Sequence, residues 1–274
     1  NYKATICASA CSRDVWTTCS QWSKNFCQLL IKQFIIMDII ISGYGRMGKE
    51  VEKICKERNH NIIAIIDNRD QWSNLSLTNN NAVIIDFSLP NSVIENISRA
   101  FDLKIPIVTG TTGWYDKLES ISELCNTNNG TLFYAPNFSI GVNIFFQVNK
   151  YLAKLMNGVD DYQAKINETH HKHKVDSPSG TAISTANGIL GVNDSLNSWS
   201  LNKKEPNSIT IYSSREGEVT GKHEVVYDSP VDTISLLHDA KNRSGFAIGA
   251  VMAAEFIQDK KGIFNMDDIM KSLE

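Results

Sequence analysis

Cysteine is almost missing from the body of this chain. Of six in 274 residues, Cys7, Cys11, Cys19 and Cys27 fall at the very start, and only Cys55 and Cys125 follow. Two isolated thiols offer no disulfide framework, so the body reads as a reduced, intracellular protein of the cytoplasm. Long apolar runs are lacking as well. Leu29–Ile41 is broken by Lys32, Gln33 and Asp38, well short of the ~18–20 uncharged apolar residues of a membrane span, so no membrane partner is expected. There is no excess of positive charge either. The formal net charge of −3 gives no basic field, which argues against nucleic acid as a partner. Internal repeats and low-complexity tracts are absent, and a chain with 42% hydrophobic and 21% charged residues is neither disordered nor fibrous. An anionic ligand must therefore be held by a local cluster of charge.

Residues 1–36 stand apart in composition. They carry Lys3, Arg13, Lys24 and Lys32 against Asp14 alone, a net +3 that leaves −6 for the remainder. Three readings compete: a transit-type presequence, a cysteine-rich accessory segment, or translated upstream or vector-derived residues ahead of a start at Met37. The last is preferred because a compact strand begins directly after Met37.

From Asp38 onward, short β-branched runs alternate with amphipathic stretches, the pattern of a parallel sheet covered by helices. Strands are expected at 39–42, 61–66, 82–86, 105–109 and 132–134. Helices are expected near 46–58, 92–101 and 115–125, and the polar segment 71–81 reads as a loop. After Pro136 the grammar changes to a helix near 141–156, a strand near 162–167, a helix near 179–190, and strand-like runs at 208–213, 218–227 and 233–237. The fold class is then α/β: an N-terminal Rossmann doubly wound parallel sheet plus a second α+β domain with a mixed or antiparallel sheet. The expected division is a leader at 1–36 outside the fold, a dinucleotide-binding domain at 37–136 and a substrate-binding and oligomerisation domain at 137–243. Helices at 244–274 are expected to pack back on the first domain.

Gly43, Tyr44, Gly45, Arg46, Met47 and Gly48 form a GxGxxG run between a hydrophobic strand and a helix. In that context Gly43 permits the tight turn, Gly45 lets a pyrophosphate approach backbone N–H groups, and Gly48 allows close helix-to-strand packing. About 20 residues on, Asp67 closes the second strand, placed to accept hydrogen bonds from a ribose and so to favour NADH. Arg69 can instead pair with a 2′-phosphate, which leaves NADPH open. Gly110, Thr111, Thr112 and Gly113 follow another strand and suit close approach of a ribose or nicotinamide amide.

The segment Glu168–Ala182 is the richest in chemistry. It places His170, His171, Lys172, His173 and Lys174 in succession and then opens a helix near Ser179. Unsatisfied N–H groups at Ser179, Gly180 and Thr181 suit a carboxylate, and the basic side chains supply charge and protons. A metal site from His170, His171, His173 and Asp176 and a solvated basic loop are the competing readings. Adjacent histidines on a strand do not converge on one ion, there is no HExxH, and no metal is assigned. His60, His223 and His238 read as structural, with His60 at the surface behind the first helix, and Trp114 reads as packing behind the Thr-Thr turn.

In order, the motifs Gly43–Gly48, Gly110–Gly113, Ala135–Asn143, His170–Thr181, Arg215–Gly217 and Lys241–Ala247 resemble those of the 4-hydroxy-tetrahydrodipicolinate reductase (dihydrodipicolinate reductase) family, from Met37 to near the C-terminus. The histidine-lysine loop is specific to that family; the glycine fingerprint alone is not. The resemblance implies hydride transfer from NADH or NADPH to a cyclic dicarboxylated imine with loss of water, in lysine and diaminopimelate biosynthesis. It implies His170 as proton donor/acceptor, Lys174 as proton donor, and His171, Ser179, Gly180 and Thr181 as substrate-binding. It assigns the cofactor to Gly43–Gly48, Asp67, Gly110, Thr111, Thr112, Ala135, Pro136, Asn137 and Phe138, and it implies a homotetramer. Rival readings are an acylating semialdehyde dehydrogenase, for which neither Cys55 nor Cys125 is suitably placed, a sugar-type dehydrogenase, which leaves the loop unexplained, and a silent NAD(P)-binding sensor, which needs no proton donor.

Overall fold

Continuous runs of isoleucine and valine build the first sheet. The computed structural model describes residues 36–75, 81–159 and 161–273, so the leader expected at 1–36 lies, apart from Ile36, outside the described residues. Residues 37–274 form one compact unit, and the description concerns that unit. In chain order its first half runs β1 (Asp38–Ser42), α1 (Arg46–Glu57), β2 (Asn61–Ile66), a 3-10 turn (Arg69–Asn74), β3 (Ala82–Asp86), α2 (Val93–Asp102), β4 (Ile107–Thr109), α3 (Leu118–Asn128) and β5 (Thr131–Tyr134). The second half runs α4 (Ile140–Met156), β6 (Gln163–His170), α5 (Gly180–Leu190), β7 (Ser198–Leu201), β8 (Ser208–Arg215), β9 (Gly221–Asp228), β10 (Thr233–Ala240), α6 (Ser244–Ile257), β11 (Gly262–Phe264) and α7 (Met266–Leu273).

All pairings in the first sheet are parallel, in the order β11-β5-β4-β3-β1-β2. Because side chains alternate faces along a strand, Ile39 and Ile41 face one helical layer while Ile40 faces the other. The first layer is α1, α6 and α7; the second is α2 and α3. Small residues of α6 (Ala247, Ala250, Ala253, Ala254) let that helix lie close against the sheet. The strand order reverses between β1 and β3, and open α/β sheets bind ligands at such a point, beyond the carboxyl ends of the strands.

The second sheet is mixed, in the order β10-β9-β6-β8-β7. β6 is antiparallel to β9 and parallel to β8. One face packs on α4 and α5 through Ile166, Ile211, Val225, Phe145, Ala186 and Ile189.

Several expectations are revised. β6 continues to His170, beyond the strand expected near 162–167, because Glu168 and His170 follow Ile166 on the buried face at a period of two. Inside the stretch read as a loop after Gln71, the chain instead completes a 3-10 turn begun at Arg69 and held by an Asn68–Gln71 capping box; 76–80 lie outside the described residues. The short strands β7 and β11 carry too few alternations to be read from sequence, and β11 places a strand within the C-terminal segment expected to be helical. His60 is buried rather than at the surface: its Nδ1 accepts the Met37 N–H at 3.3 Å and its Nε2 lies 2.9 Å from Glu255. Trp114 is buried and donates to the Thr111 carbonyl at 2.8 Å, as expected for a residue packed behind that turn.

Candidate functional site

At the switch point, the turn after β1 is shaped by glycine. Gly43 has φ +84, and a Cβ there would lie 2.4 Å from the Phe87 carbonyl oxygen, so only glycine fits. A Cβ on Gly45 would meet nothing within 4 Å. The open side of the turn therefore lies over Gly45 and the N-terminus of α1, where unsatisfied N–H groups and the helix dipole attract a phosphate. Asp67, at the end of β2, lies across the same cleft, and its Oδ1 accepts the Tyr44 N–H at 2.9 Å. The cleft has a volume of about 390 Å³. Arg69 also lines it, but its guanidinium is held by Glu95, with Nε and Nη2 at 2.9 and 2.5 Å from one carboxylate oxygen. These residues fit a dinucleotide: a backbone cradle for phosphate and a carboxylate for ribose hydroxyls.

Asp86, fully buried at the end of β3, ties the neighbouring strand ends together. Its Oδ1 accepts from Ser42 Oγ at 2.8 Å and Asn96 Nδ2 at 2.9 Å, and its Oδ2 from Thr109 Oγ1 at 2.8 Å and Thr111 Oγ1 at 2.9 Å. The Gly110–Thr112 turn is thus anchored through Thr111, while Thr112 stays exposed. Phe87 lies between this turn and Phe138, its ring edge-on to Phe138 with centroids 5.9 Å apart. Of the Ala135–Phe138 segment, Ala135 and Phe138 are buried, Pro136 is exposed, and Asn137 reaches a second pocket.

That second pocket, about 270 Å³, lies where β6, β9 and β10 meet α4, α5 and α6, and is lined by His170, Thr181, Gly221, His223 and His238 as well as Asn137. A larger cavity of about 790 Å³ runs beside Tyr162, Lys165, Asn167 and Tyr212 on the second sheet, away from the histidines. Three strands meet in register at the smaller pocket. Glu168 of β6 pairs with His223 of β9 and Ser213 of β8, and His170 pairs with Arg215. Glu168 is 1% exposed. Its Oε1 accepts from Ser213 Oγ at 2.7 Å and the Ser179 N–H at 3.0 Å, with Arg215 Nη1 at 3.6 Å. Its Oε2 lies 3.3 Å from His170 Nδ1 and 3.7 Å from His223 Nε2.

Electrostatics follow from this packing. Burial pushes the Glu168 carboxyl up, but the His170 imidazole beside it and hydrogen bonds from Ser179 and Ser213 outweigh it and hold the group well below the usual carboxylate range. Burial, reinforced by the nearby His170, pushes His223 down from 6.5 to about 4, so it is neutral at pH 7. Glu255 behaves like Glu168: burial raises it, and His60 and Arg58 overcome that and lower it. A group lowered on folding stabilises above its unfolded value and loses that contribution as pH falls through its folded value. Stability is therefore expected to be flat between about pH 6.5 and 8, to decline below that as His223 resists protonation, and to decline more steeply below about 4.5 as the two carboxylates are lost. Urea midpoints measured across pH 3–8 check this; Glu255→Gln is expected to flatten the limb below 4.5, and an unchanged limb would contradict the assignment.

The remaining loop residues lie outside the pocket. Lys174 Nζ sits 2.7 and 2.8 Å from the two Asp176 oxygens, and exposed His173 pairs with Glu218 at 3.3 Å. The positive charge that looks concentrated in sequence is thus partly matched by local carboxylates. Ser179 is buried as the N-cap of α5: its hydroxyl accepts the Ala182 N–H at 3.2 Å and lies 3.2 Å from His223 Nε2. Gly180 and Thr181 form the helix's first turn, with Gly180 exposed, and His171 is half-buried. His170, His171 and Lys174 follow one another from the end of β6 into the turn beyond it. Sequence reasoning passed over Glu168 and read His223 as structural. The available signal was spacing, since Glu168 precedes His170 by two and so shares its face of the strand. Glu168, His170 and His223 also bring three potential ligand atoms within 4.8 Å of one another.

A parallel nucleotide-type sheet with a glycine turn facing an acidic strand end, joined to a mixed sheet bearing a histidine-lined pocket, defines a Rossmann-type oxidoreductase that uses NAD(P)H. The family profile described as "Dihydrodipicolinate reductase, N-terminus" matches residues 37–138, and "Dihydrodipicolinate reductase, C-terminus" matches residues 141–270. The chain belongs to the dihydrodipicolinate reductase family. It is 45% identical over 238 residues to the 4-hydroxy-tetrahydrodipicolinate reductase of Christiangramia forsetii, covering 86% of this chain and 99% of that one. It is 33% identical over 247 residues to the enzyme of that name from Staphylococcus aureus strain MRSA252, covering 85% and 100%. Among solved structures, a dipicolinate-bound dihydrodipicolinate reductase from Paenisporosarcina sp. TG-14 shares the fold, with a TM-score of 0.68 and 24% identity over 84% of this chain and 98% of that one.

Proposed function

We propose that this protein reduces 4-hydroxy-tetrahydrodipicolinate to tetrahydrodipicolinate with loss of water, as a step of lysine and diaminopimelate biosynthesis. The 45% identity across nearly the whole of a reductase of that name carries the reading. Bound NADH or NADPH supplies the hydride. The chain's own residues do the rest. Gly43–Gly48, Asp67, Gly110–Thr112 and Ala135–Phe138 hold the cofactor at the ends of the strands. The α5 N-terminus at Gly180 and Thr181, with His171, binds a carboxylate of the substrate, while Ser179 supports that turn from behind. His170 holds or accepts a proton at the pocket, and Lys174 delivers one to the charge that builds as hydride arrives.

Oligomerisation through the second sheet belongs to the same reading, with a homotetramer as the expected state. Tyr212 and Leu237 are exposed on β8 and β10, on the face away from α4 and α5, and supply apolar surface for it. Among the described residues no helix is long and apolar enough to cross a membrane, and the buried, free Cys55 and Cys125 suit a cytoplasmic setting.

The test is loss of 340 nm absorbance with NADH and NADPH in turn, with substrate made in situ by the preceding synthase from pyruvate and aspartate semialdehyde. Oxidation that depends on the synthase is expected. Cofactor binding with no oxidation would refute the proposed substrate.

A further inference from the structure

We propose that Glu168 is a positioning residue for His170: its Oε2 accepts the Nδ1–H of the imidazole and so turns Nε2 toward the pocket. The proposal rests on the reading of His170 as the proton donor/acceptor. Three observations support it. Glu168 is buried, and its Oε1 is fixed by Ser213 Oγ at 2.7 Å and the Ser179 N–H at 3.0 Å, so its Oε2 faces His170 Nδ1 at 3.3 Å. The opposite ring nitrogen lies beside Gly221, where a Cβ would sit 3.2 Å from Nε2; the missing side chain keeps that nitrogen accessible in the pocket. Finally, the nearest alternative partner for Oε2, His223 Nε2, is farther away at 3.7 Å and already lies 3.2 Å from the Ser179 hydroxyl.

A carboxylate in this position does two things. It fixes the tautomer, because an acceptor at Nδ1 requires the proton there and leaves Nε2 free to take or pass one. It also stabilises the imidazolium that forms whenever Nε2 is protonated, as a buried carboxylate does for an active-site histidine elsewhere. Glutamine fills the same space but offers an N–H to Nδ1, which reverses the tautomer and removes the counter-charge. Glu168 also anchors the first turn of α5 through Ser179, so a purely structural role is the rival explanation.

The deciding experiment compares kcat for Glu168→Gln, His170→Ala and the double variant, with ring nitrogens of His170 followed by 15N NMR and folding checked by thermal melting. Glu168→Gln is expected to lower kcat about 100-fold with a smaller change in substrate KM. It is also expected to move the His170 ring proton from Nδ1 to Nε2, and Glu168→Asp to recover part of the loss. In the His170→Ala background the same change is expected to cost less than about threefold, since a residue acting through His170 has nothing left to position. Losses that multiply in the double variant, or an unchanged His170 tautomer, would overturn the proposal while leaving His170 in the chemistry. Full turnover in His170→Ala would overturn the underlying reading instead. Stoichiometric zinc in the purified enzyme, lost in Glu168→Gln, would make the three side chains a metal centre and also overturn the proposal.

Discussion

Lys174→Met is expected to lower kcat by about 10²- to 10⁴-fold, the range that positioned proton transfer contributes, while the dissociation constants for NADH and NADPH stay within about twofold. The separation follows from placement. The nucleotide cleft is built from Gly43–Gly45 and Asp67 at the ends of β1 and β2, whereas Lys174 lies in the turn after β6. Its ammonium is held by both oxygens of Asp176, and Arg215 steadies the same turn by donating to the Lys174 and Asp176 carbonyls. Methionine keeps the length and most of the packing of the side chain but carries no proton to donate. A dicarboxylate arriving beside this turn would compete with Asp176 for the ammonium, so some rise in substrate KM is expected too. Steady-state kinetics together with fluorescence titration of the cofactor measure both quantities. Unchanged turnover would remove Lys174 from the mechanism, and a change confined to KM would make it a binding residue.

Gly249→Ala is expected to destabilise the fold by about 3 kcal/mol or more, a fall in Tm of roughly 6 to 12 °C for a chain of this size. A Cβ at this position in α6 would lie 1.7 Å from the Phe138 carbonyl oxygen and 3.3 Å from the Phe138 Cβ. Backbone cannot yield as a flexible side-chain tip can, so α6 would have to withdraw from the sheet, opening its contacts through Ala250, Val251, Ala253 and Ala254. Gly245 in the same helix is the control. Its added Cβ would meet only Ser139 Oγ at 3.7 Å, an ordinary contact, and alanine there is expected to be neutral or to stabilise by up to about 1 kcal/mol through helix propensity. Thermal melts of the two variants give the comparison; equal melts would show that α6 does not depend on this close approach.

What could be read in the sequence was what local chemistry determines. The turn at Gly43–Gly48, the carboxylate ending β2 and the N-cap at Ser179 are each set by neighbours within a few residues, and strands such as Ala82–Asp86 declare themselves by continuous β-branched runs. What could not be read depends on register between distant segments. Glu168 meets His223 only because β6 and β9 pair with those two residues opposite each other, and Ser213 only through the pairing with β8. Reading the chain near 168 as a loop hid the period of two that places Glu168 and His170 on one face. His60 was misplaced for a similar reason, since its partner Glu255 lies 195 residues away. Arg69 is free in sequence, yet the fold pairs it with Glu95 from the start of α2. Local patterns thus marked the glycine turn and the histidine-bearing segment, while the network beneath His170 required the sheet.

The most direct test of the central claim is the mass of the tetrahydrodipicolinate formed from cofactor deuterated at the transferable position, in ordinary water. The account predicts one deuterium in the product, and the same label lost in parallel from the cofactor. Product without deuterium, or product labelled only when the solvent is heavy water, would contradict hydride transfer as the reaction this protein performs.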